Sequence, residues 1–244
     1  LKLKLSFIRK YKKMPIKIYK PIGMTPVELI RNYKKENHIK ERVSFAGRLD
    51  PMAHGEMVLL VGDECKKQDF FCGREKIYEF EILYGFSTDT LDILGISGRN
   101  KKKINNDIKK LKGEYEQSYP LFSSKFIGNR KRKVPHDIVQ EIKDKDNIPK
   151  KKVSIFELEK LNEKSINNVN LLKTILNKLS LLSDDYKEKF RYTIIKNKWE
   201  ENLKSENIFR IERYKAKVSS GTYIRSLCER MGGIAFDINR IQVL

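Results

Sequence analysis

The residue whose type and position most clearly indicate reactive chemistry is Asp50. It lies in the stretch "FAGRLDPMAHGEMVLLVG", which runs from residue 45 to residue 62. Pro51 follows it, and a residue that precedes proline is disfavoured in the helical region of backbone space. The sequence therefore predicts that Asp50 lies in a loop. Asp-Pro is also an ordinary turn dipeptide. Taken alone, Asp50 has two interpretations: a turn residue, or a carboxylate reagent that a turn presents.

A second candidate is Arg225, in "SSGTYIRSLCERMGG". Apolar residues at helical spacing predict an amphipathic helix here: Ile224, Leu227, Cys228 and Met231. Ser219 or Ser220 is expected to cap this helix, and Gly232 with Gly233 to end it. Arg225 lies in the first turn, off the apolar stripe, where a cation is unfavourable. That position indicates an anionic partner, or else an arginine in solvent.

The sequence contains no pattern that predicts a metal or a cofactor. The three cysteines and three histidines are scattered and show no zinc-ligand spacing. Walker, G-x-S-x-G and G-x-G-x-x-G motifs do not occur either. We therefore expect neither metal nor cofactor, and a reduced, cytoplasmic protein, with the nucleus or an organelle left open. No apolar stretch approaches the roughly 18 residues of a membrane span, so the chain is not expected to cross a membrane.

The elements that must position these residues begin with a short strand at 14–20 and a loop at 20–25. Thr25 and Glu28 form a capping box, and Pro26 suits the first position of the helix that follows. One face of that helix carries Val27, Ile30 and Tyr33.

An apolar run predicts a strand at 57–61, alternating apolar residues predict strands at 77–84 and from 208 onward, and a further strand is predicted at 153–161. The strand at 77–84 has one apolar side, made of Tyr78, Phe80, Ile82 and Tyr84. Helices are predicted near 105–115 and 166–182, and a basic surface loop or bent strand pair at 119–137. This irregular order of strands and helices favours an α+β fold over a doubly wound sheet.

The charge of the chain is large and uneven. The 244 residues carry a formal net charge of +20, and 39% of them are hydrophobic, which supports one large domain with a core. The net charge is +8 over 1–20, −2 over 21–100, +9 over 101–152 and +5 over 153–244. A near-neutral block between basic ones is typical of a chemical core with phosphate-binding margins. Lysine that merely fills solvated faces is the alternative, and an anionic membrane is a second class of partner.

Five stretches, in order, resemble the blocks of the TruB family of pseudouridine synthases, which includes the bacterial tRNA uridine-55 enzyme. They are "KPIGMT", "AGRLDPMAHG" with "VGDECK", "YEFEILYGFSTDTLDILG", "EQSYPLFSSKFIG" and "SSGTYIRSLCERMG". The resemblance covers roughly residues 16–160 and 208–244.

The resemblance implies the pseudouridine synthase catalytic fold: α+β, with a central mixed, mostly antiparallel sheet flanked by helices and a cleft for RNA. It implies a single catalytic domain over 14–244, with a helical insertion at about 162–207 where the family has a short turn. Residues 1–13 would be a basic extension, interpreted as a targeting segment, an RNA-contacting arm or a cloning remnant. The C-terminal PUA domain of many relatives is not expected here.

The resemblance also implies roles for residues. Asp50 would be the essential aspartate at the ribose C1′, Tyr78 would stack on the target uracil and relay a proton, and Arg225 would pair with Asp50. The implied substrate-binding positions are Lys20, Pro21, Gly23, Phe45, Gly47, Arg48, Leu49, Lys125, Tyr223 and Ile238. No metal or cofactor is implied.

The chemistry of these residue types agrees with those roles. Burial opposes ionisation of a carboxylate, whereas a nearby guanidinium lowers the pKa of an aspartate by about 1–3 units. A base must leave its stack to be reached, so the enzyme needs a basic surface and a flat stacking partner. Asp50 and Arg225 would thus each account for the other.

The chain departs from the family pattern at Phe45 and Ala46, where relatives carry His or a similar residue, and at His54. Phenylalanine can stack on RNA but cannot donate a hydrogen bond to it. With no PUA domain expected, the basic segments 1–20 and 101–152 are expected to supply part of the RNA affinity.

The predicted function is that of a monomeric tRNA pseudouridine synthase that isomerises a flipped-out uridine, uridine 55 of the T-loop. Two alternatives stay open: an RNA-binding or RNA-folding protein of the same fold without catalysis, and a pseudouridine synthase that acts on mRNA or rRNA.

Overall fold

The computed structural model describes residues 15–100, 102–105, 107–123 and 148–244. Eight strands form one mixed sheet in the order β1-β3-β10-β4-β9-β8-β7, with β2 paired to β3. They are β1 (Ile16–Lys20), β2 (Val43–Ala46), β3 (Ala53–Val61), β4 (Lys76–Tyr84), β7 (Gly113–Ser118), β8 (Lys150–Asn167), β9 (Ile208–Val218) and β10 (Gly233–Val243). A separate hairpin joins β5 (Phe86–Thr88) to β6 (Ser97–Arg99). Within this sheet only β3 and β10 pair in parallel, which confirms the predicted α+β fold with a mostly antiparallel sheet.

Seven helices and one 3₁₀ turn accompany the sheet in the described part of the chain. They are α1 (Pro26–Glu36), the 3₁₀ turn (Gly62–Lys67), α2 (Gln68–Cys72), α3 (Ile108–Leu111), α4 (Asn168–Ser180), α5 (Asp184–Lys187), α6 (Tyr192–Asn202) and α7 (Ile224–Arg230). None of these helices is long and apolar enough to cross a membrane.

The start of α1 follows the predicted capping pattern. The Thr25 hydroxyl accepts from the Glu28 N–H at 3.2 Å, and the Glu28 carboxylate accepts from the Thr25 N–H at 2.7 Å, so the capping box is confirmed. Pro26 and Leu29 are the buried residues of the helix, whereas Val27 is 45% exposed. The face that carries Val27, Ile30 and Tyr33 is thus not the buried face of the helix, which packs through Leu29.

The two largest cores lie on opposite faces of the sheet, as the two-residue period of strands requires. On one face, the predicted apolar side of β4, from Tyr78 to Tyr84, packs with α7. On the other face, Leu83 and Ile211 pack against α4 and α6. Trp199 of α6 is fully buried there and donates its indole N–H to the Ile93 carbonyl at 3.0 Å.

The insertion is shorter than predicted at its start. Residues 162–167 continue β8, which pairs antiparallel with β9 as far as Asn167 opposite Ile208. The helices therefore occupy 168–202 rather than 162–207. Beyond residue 161 the side chains of β8 are almost all exposed. Pairing with β9 therefore extends the strand and provides the backbone hydrogen bonds that a helix would otherwise supply.

The predicted stripe of α7 is buried, and Gly232 ends the helix with φ +94°. The predicted cap was wrong. Tyr223 occupies the N-cap position without a side-chain cap. The Ser219 hydroxyl accepts from the Ser154 N–H at 2.8 Å, and the Ser220 hydroxyl donates to the Cys72 carbonyl at 2.6 Å. Both serines thus tie the loop to neighbouring segments instead of to the helix.

Candidate active site

Asp50 lies in the loop between β2 and β3, and a buried arginine holds that loop. Arg240 donates to the carbonyl of Gly47 at 3.0 Å, of Arg48 at 3.4 Å and of Glu56 at 2.7 Å. Gly47 has φ +79°, a conformation that glycine adopts without a Cβ penalty. The Ala53 N–H donates to the Asp50 carbonyl at 3.0 Å and closes the turn. The turn therefore has a fixed shape, and it presents the Asp50 carboxylate with 29% of its side chain exposed.

Arg225 reaches Asp50 from the first turn of α7. Its Nε donates to Asp50 Oδ2 at 2.7 Å. The rest of the guanidinium donates to the Phe122 carbonyl at 3.0 Å and to the Thr90 carbonyl. The side chain is only 3% exposed, so the interpretation of Arg225 as a solvent-exposed arginine was wrong. Its anionic partner lies within this chain.

A second carboxylate, Asp92, completes a buried charge cluster. Its Oδ2 lies 3.8 Å from Arg225 Nε, and its Oδ1 accepts from the Thr90 hydroxyl at 2.7 Å and the Leu94 N–H at 2.9 Å. Burial raises the pKa of Asp92 to about 6, against the opposing effect of Arg225. Burial disfavours the charged form of Arg225, but the carboxylates of Asp50 and Asp92 outweigh it and raise the pKa of the guanidinium. Arg225 is therefore a permanent cation beside Asp50.

A cavity of about 240 Å³ opens next to Asp50. It brings together most of the residues that the sequence blocks singled out: Gly47, Arg48, Leu49, Asp50, Tyr78, Tyr223 and Ile238. Tyr78 is 6% exposed and Ile238 is also 6% exposed, so the lining beside the acid is aromatic and apolar. A flat, uncharged ring fits the chemistry of such a lining.

Tyr223 is held at the cavity through its backbone and its ring. Its N–H donates to Gln117 Oε1 at 2.9 Å, and its ring meets the edge of Tyr119 at a centroid distance of 6.0 Å. Burial, with the nearby Asp50 carboxylate, raises the pKa of the Tyr223 phenol. The phenol is therefore neutral at physiological pH.

Lys20, Pro21 and Gly23 do not line this cavity, contrary to the prediction. Lys20 is fully buried and donates to the carbonyls of Pro21 at 2.9 Å, Met24 at 2.7 Å and Pro51 at 3.4 Å. The Gly23 N–H donates to the Pro51 carbonyl at 2.8 Å. These hydrogen bonds hold the loop at 20–25 against the Asp50 turn. Burial lowers the pKa of Lys20 to about 7, with Asp50 opposing the shift.

Phe45 and Lys125 are the remaining predicted positions. Phe45 is half-buried on β2, where Gln68 donates to its carbonyl at 2.9 Å and the Arg48 guanidinium lies 5.8 Å from its ring centre. It does not line the cavity. Lys125 lies outside the described residues.

Two buried cations were missed by the sequence reasoning. Arg240 is 1% exposed and Lys76 is 5% exposed, and both line the cavity. Burial lowers the pKa of Lys76 to about 8, and Arg240 adds to the shift. A signal was present in the two-residue period of the strands. Arg240 lies two residues after Ile238, and Lys76 lies two residues before Tyr78, so each shares the inward face of its strand with that residue.

In the ranges that the structure describes, no three His, Cys, Asp or Glu side chains are grouped closely enough to hold a metal ion.

Comparison with known proteins identifies the family. The family described as "TruB family pseudouridylate synthase (N terminal domain)" matches residues 34–173. The Caldicellulosiruptor saccharolyticus protein named tRNA pseudouridine synthase B is 36% identical over 149 residues, covering 59% of this chain and 50% of that protein. The Saccharomyces cerevisiae protein named tRNA pseudouridine synthase 4 is 28% identical over 232 residues, covering 79% of this chain and 57% of that protein. The chain spans about half the length of these relatives.

A solved structure shares the fold. A chain in a crystal structure of a Cbf5-Nop10-Gar1 complex has a TM-score of 0.54 at 16% identity, over 94% of this chain and 48% of that one. The family match covers more than half of the sequence. The chain therefore belongs to the TruB family of pseudouridylate synthases.

Proposed function

We propose that this chain carries the active site of a tRNA pseudouridine synthase. The observation that supports this most strongly is the ion pair of Asp50 with Arg225, 2.7 Å apart at a cavity lined by Tyr78 and Tyr223. Relatives named tRNA pseudouridine synthase support tRNA as the substrate class.

In the proposed reaction, uracil is isomerised without net gain or loss of atoms. The N1–C1′ bond breaks while the Asp50 carboxylate attacks, or assists at, the ribose C1′. The base turns and its C5 bonds to C1′, and any bond from Asp50 to C1′ breaks at this step and restores the carboxylate. The proton that leaves C5 is balanced by the proton that N1 gains. Arg225 has the role of aiming the Asp50 carboxylate and of balancing its charge, since its Nε donates to Asp50 Oδ2 at 2.7 Å.

The target uracil is proposed to bind in the 240 Å³ cavity. Tyr78 offers a π-face, and stacking of a base on an aromatic ring contributes about 1–3 kcal/mol. A uridine must be unpaired and flipped to reach a site of this kind. We assign the target to uridine 55 of the T-loop, which the similarity of the sequence blocks to those of the uridine-55 enzymes supports.

Chemical labelling of pseudouridine on tRNA transcripts tests the substrate. The chain should modify one uridine of the T-loop, and a transcript with cytidine at position 55 should stay unmodified. A label at another uridine would move the target assignment but keep the activity. No label in any tRNA, with labelling of mRNA or rRNA fragments, would refute tRNA as the substrate class.

A binding protein without catalysis is the competing function. It has no use for a carboxylate and a buried guanidinium at one cavity, because a buried ion pair is costly to desolvate. Tight binding of tRNA with no isomerisation by the wild-type chain would favour that alternative.

A further inference from the structure

Lys76 is a buried cation in the wall of the 240 Å³ cavity. It is the first residue of β4 and precedes Tyr78 by two positions, so both side chains leave the strand on the same face. Lys76 is 5% exposed. Among the described residues, the groups that act on its charge are the cations Arg240 and Lys151 and the Cys72 thiol, and none of them is a carboxylate. A buried charge is costly unless it is paired, so this part of the cavity favours an anion.

The hydrogen bonds of Lys76 leave one of its donors for a ligand. An ammonium group has three N–H donors. Lys76 Nζ donates to the carbonyls of Cys72 at 2.7 Å and Arg74 at 2.6 Å. Arg240, the other buried cation of the wall, donates from each of its three nitrogens to a backbone carbonyl around the Asp50 turn. Arg240 is thus bound to the protein backbone through every nitrogen, whereas Lys76 keeps a donor for a bound base.

The proposed reaction makes an anion in this cavity. When the N1–C1′ bond breaks, its electron pair stays with the base, and the negative charge spreads over N1 and the carbonyl oxygens of the uracil. Preorganised donors aimed at a charge that develops during a reaction contribute strongly to catalysis, because they act in a site that excludes water. Arg225 is not available for this purpose, since its guanidinium is bound to Asp50 and to two backbone carbonyls.

We propose that Lys76 is a catalytic residue, whose ammonium donates a hydrogen bond to a carbonyl oxygen of the uracil and stabilises the negative charge of the detached base. The proposal rests on the proposed function and adds a residue to it. Lys76 keeps its proton throughout. The electron pair that the base gained from N1–C1′ forms the C5–C1′ bond, Asp50 leaves as a carboxylate, and C5 loses a proton while N1 gains one. Two residues on one face of a strand lie about 7 Å apart, so a ring stacked on Tyr78 can reach Lys76.

The pKa of Lys76 gives this role a signature in the pH dependence. Burial lowers the pKa to about 8, Arg240 of β10 and Lys151 of β8 lower it further, and the Cys72 thiol at the end of α2 opposes the shift. The residue paired with Lys76 on β9 is Val218, which carries no charge. Lys76 is therefore mainly a cation at neutral pH and loses its proton as the pH rises through about 8. Catalysis that needs the cation falls over the same range.

A purely structural role for Lys76 gives a different pH dependence. Cys72 is the last residue of α2, so the ammonium caps the C-terminal end of that helix. A neutral amine still has two N–H donors, which are enough for the carbonyls of Cys72 and Arg74. The structural role therefore survives deprotonation, whereas stabilisation of an anionic base requires the ammonium. Loss of activity above about pH 8 without loss of folding separates the two roles.

Single-turnover pseudouridine formation, with enzyme in excess over tRNA, tests the proposal from about pH 6 to about pH 9. Lys76→Met removes the charge and keeps an unbranched apolar side chain, and Lys76→Arg keeps a charge that does not titrate in this range. Lys217→Met is the control, because Lys217 of β9 pairs with Glu75 at 2.9 Å and lies outside the cavity wall. The Kd for tRNA and the melting temperature are measured for each protein.

We expect Lys76→Met to form pseudouridine about 100- to 1,000-fold more slowly, the loss that removal of one such donor gives, with a Kd and a melting temperature close to those of the wild type. The wild-type rate should fall above about pH 8. Lys76→Arg should recover most of the lost rate and keep it at higher pH. Lys217→Met should behave as the wild type does at every pH.

The proposal is overturned if Lys76→Met retains the wild-type rate, or if its tRNA binding or melting temperature is lost in step with its rate. It is also overturned if Lys76→Arg loses activity over the same pH range as the wild type. Each of these results, with normal pseudouridine formation by the wild type, leaves the proposed function intact. A wild-type chain that forms no pseudouridine in tRNA would refute the proposed function, and this inference with it.

Discussion

Arg225 is a buried charge in direct contact with Asp50. Its guanidinium serves one carboxylate and two backbone carbonyls while its side chain is only 3% exposed. Removal of one partner from a buried ion pair leaves the other charge without compensation, which costs about 3–5 kcal/mol. Exposed pairs contribute only about 0–1 kcal/mol.

The first prediction concerns this difference. Arg225→Met should lower the free energy of unfolding by about 3 kcal/mol or more, because Asp50 and Asp92 lose their shared cation. The matched control is Arg213→Met, in an ion pair with Glu79 whose arginine side chain is 42% exposed; it should change stability by less than about 1 kcal/mol. Urea unfolding measures both. Equal losses would show that the Arg225 pair is not a buried pair in energetic terms.

At the scale of the secondary-structure elements, Glu212 links three strands of the sheet. Its fully buried carboxylate on β9 accepts from Tyr84 of β4 at 2.6 Å, from Tyr214 at 2.7 Å and from Lys160 of β8 at 2.7 Å. Burial would raise its pKa, but these hydrogen bonds outweigh burial and lower the pKa to about 2.

A pH dependence of stability follows. Because the folded-state pKa of Glu212 is below the ordinary value of 4.5, its contribution is complete above pH 4.5 and is lost as the pH falls from there towards 2. Glu212→Gln should therefore be about 2 kcal/mol less stable at pH 7, and this deficit should shrink below pH 4.5. Glu114→Gln, at a side chain that is 63% exposed, is the control. A deficit that stays constant from pH 7 to pH 2.5 in urea unfolding would contradict the prediction.

The loop at 20–25 connects the insertion to the Asp50 turn. Gly23 has φ +83°, and a Cβ at this position would lie 2.4 Å from the Leu181 carbonyl oxygen, at the end of α4. Its N–H also donates to Pro51. A displacement here would therefore move the insertion and the catalytic loop together.

Gly23→Ala should accordingly destabilise the protein by more than about 2 kcal/mol, from the left-handed backbone and the clash together, and should slow pseudouridine formation. Gly62→Ala is the control, because Gly62 has φ +60° but no atom within 4 Å of the added Cβ. It should show only the backbone penalty of about 1–2 kcal/mol. Thermal unfolding with an activity assay measures the difference, and equal effects of the two substitutions would contradict it.

At the scale of the whole molecule, the charge predicts how RNA binding responds to salt. Each phosphate neutralised by a lysine or arginine releases counterions, so log K falls with log salt in proportion to the contacts. Residues 1–20 and 101–152 together carry most of the net charge. Replacement of their lysines by glutamine should weaken tRNA binding and flatten its salt dependence. An unchanged slope in Kd measurements from 50 to 200 mM salt would show that these segments do not contact phosphate.

Much of the fold was predictable because local signals and tertiary packing agree. The capping box of Thr25 starts α1, and the two-residue period of 77–84 gives β4 its buried side. The inner face of α1 and the cap of α7 were not predictable, because distant segments decide them: Leu29 is buried by the core of the sheet, and Ser220 is bound by Cys72.

The sequence indicated which residues form the candidate site, but not how those residues contact one another. The similarity of the blocks indicated Asp50, Tyr78 and Arg225. Lys20 holds the loop at 20–25 against the Asp50 turn, and Arg240 holds the turn itself. These contacts join residues that are 31 to 193 positions apart in the sequence. The pattern of a single chain does not encode such distances directly.

Pseudouridine formation by the Asp50→Asn variant tests the central claim most directly. The control is Asp63→Asn, because the Asp63 side chain on the 3₁₀ turn is 87% exposed. The wild type and the two variants are incubated with the same tRNA, and pseudouridine and the Kd for tRNA are measured in each sample. The amide keeps the size of the Asp50 side chain and can still form hydrogen bonds in the cavity. It cannot act as an anionic nucleophile. We predict full activity for Asp63→Asn, and no product but nearly wild-type tRNA binding for Asp50→Asn. Turnover by Asp50→Asn at a rate near that of the wild type would contradict the account.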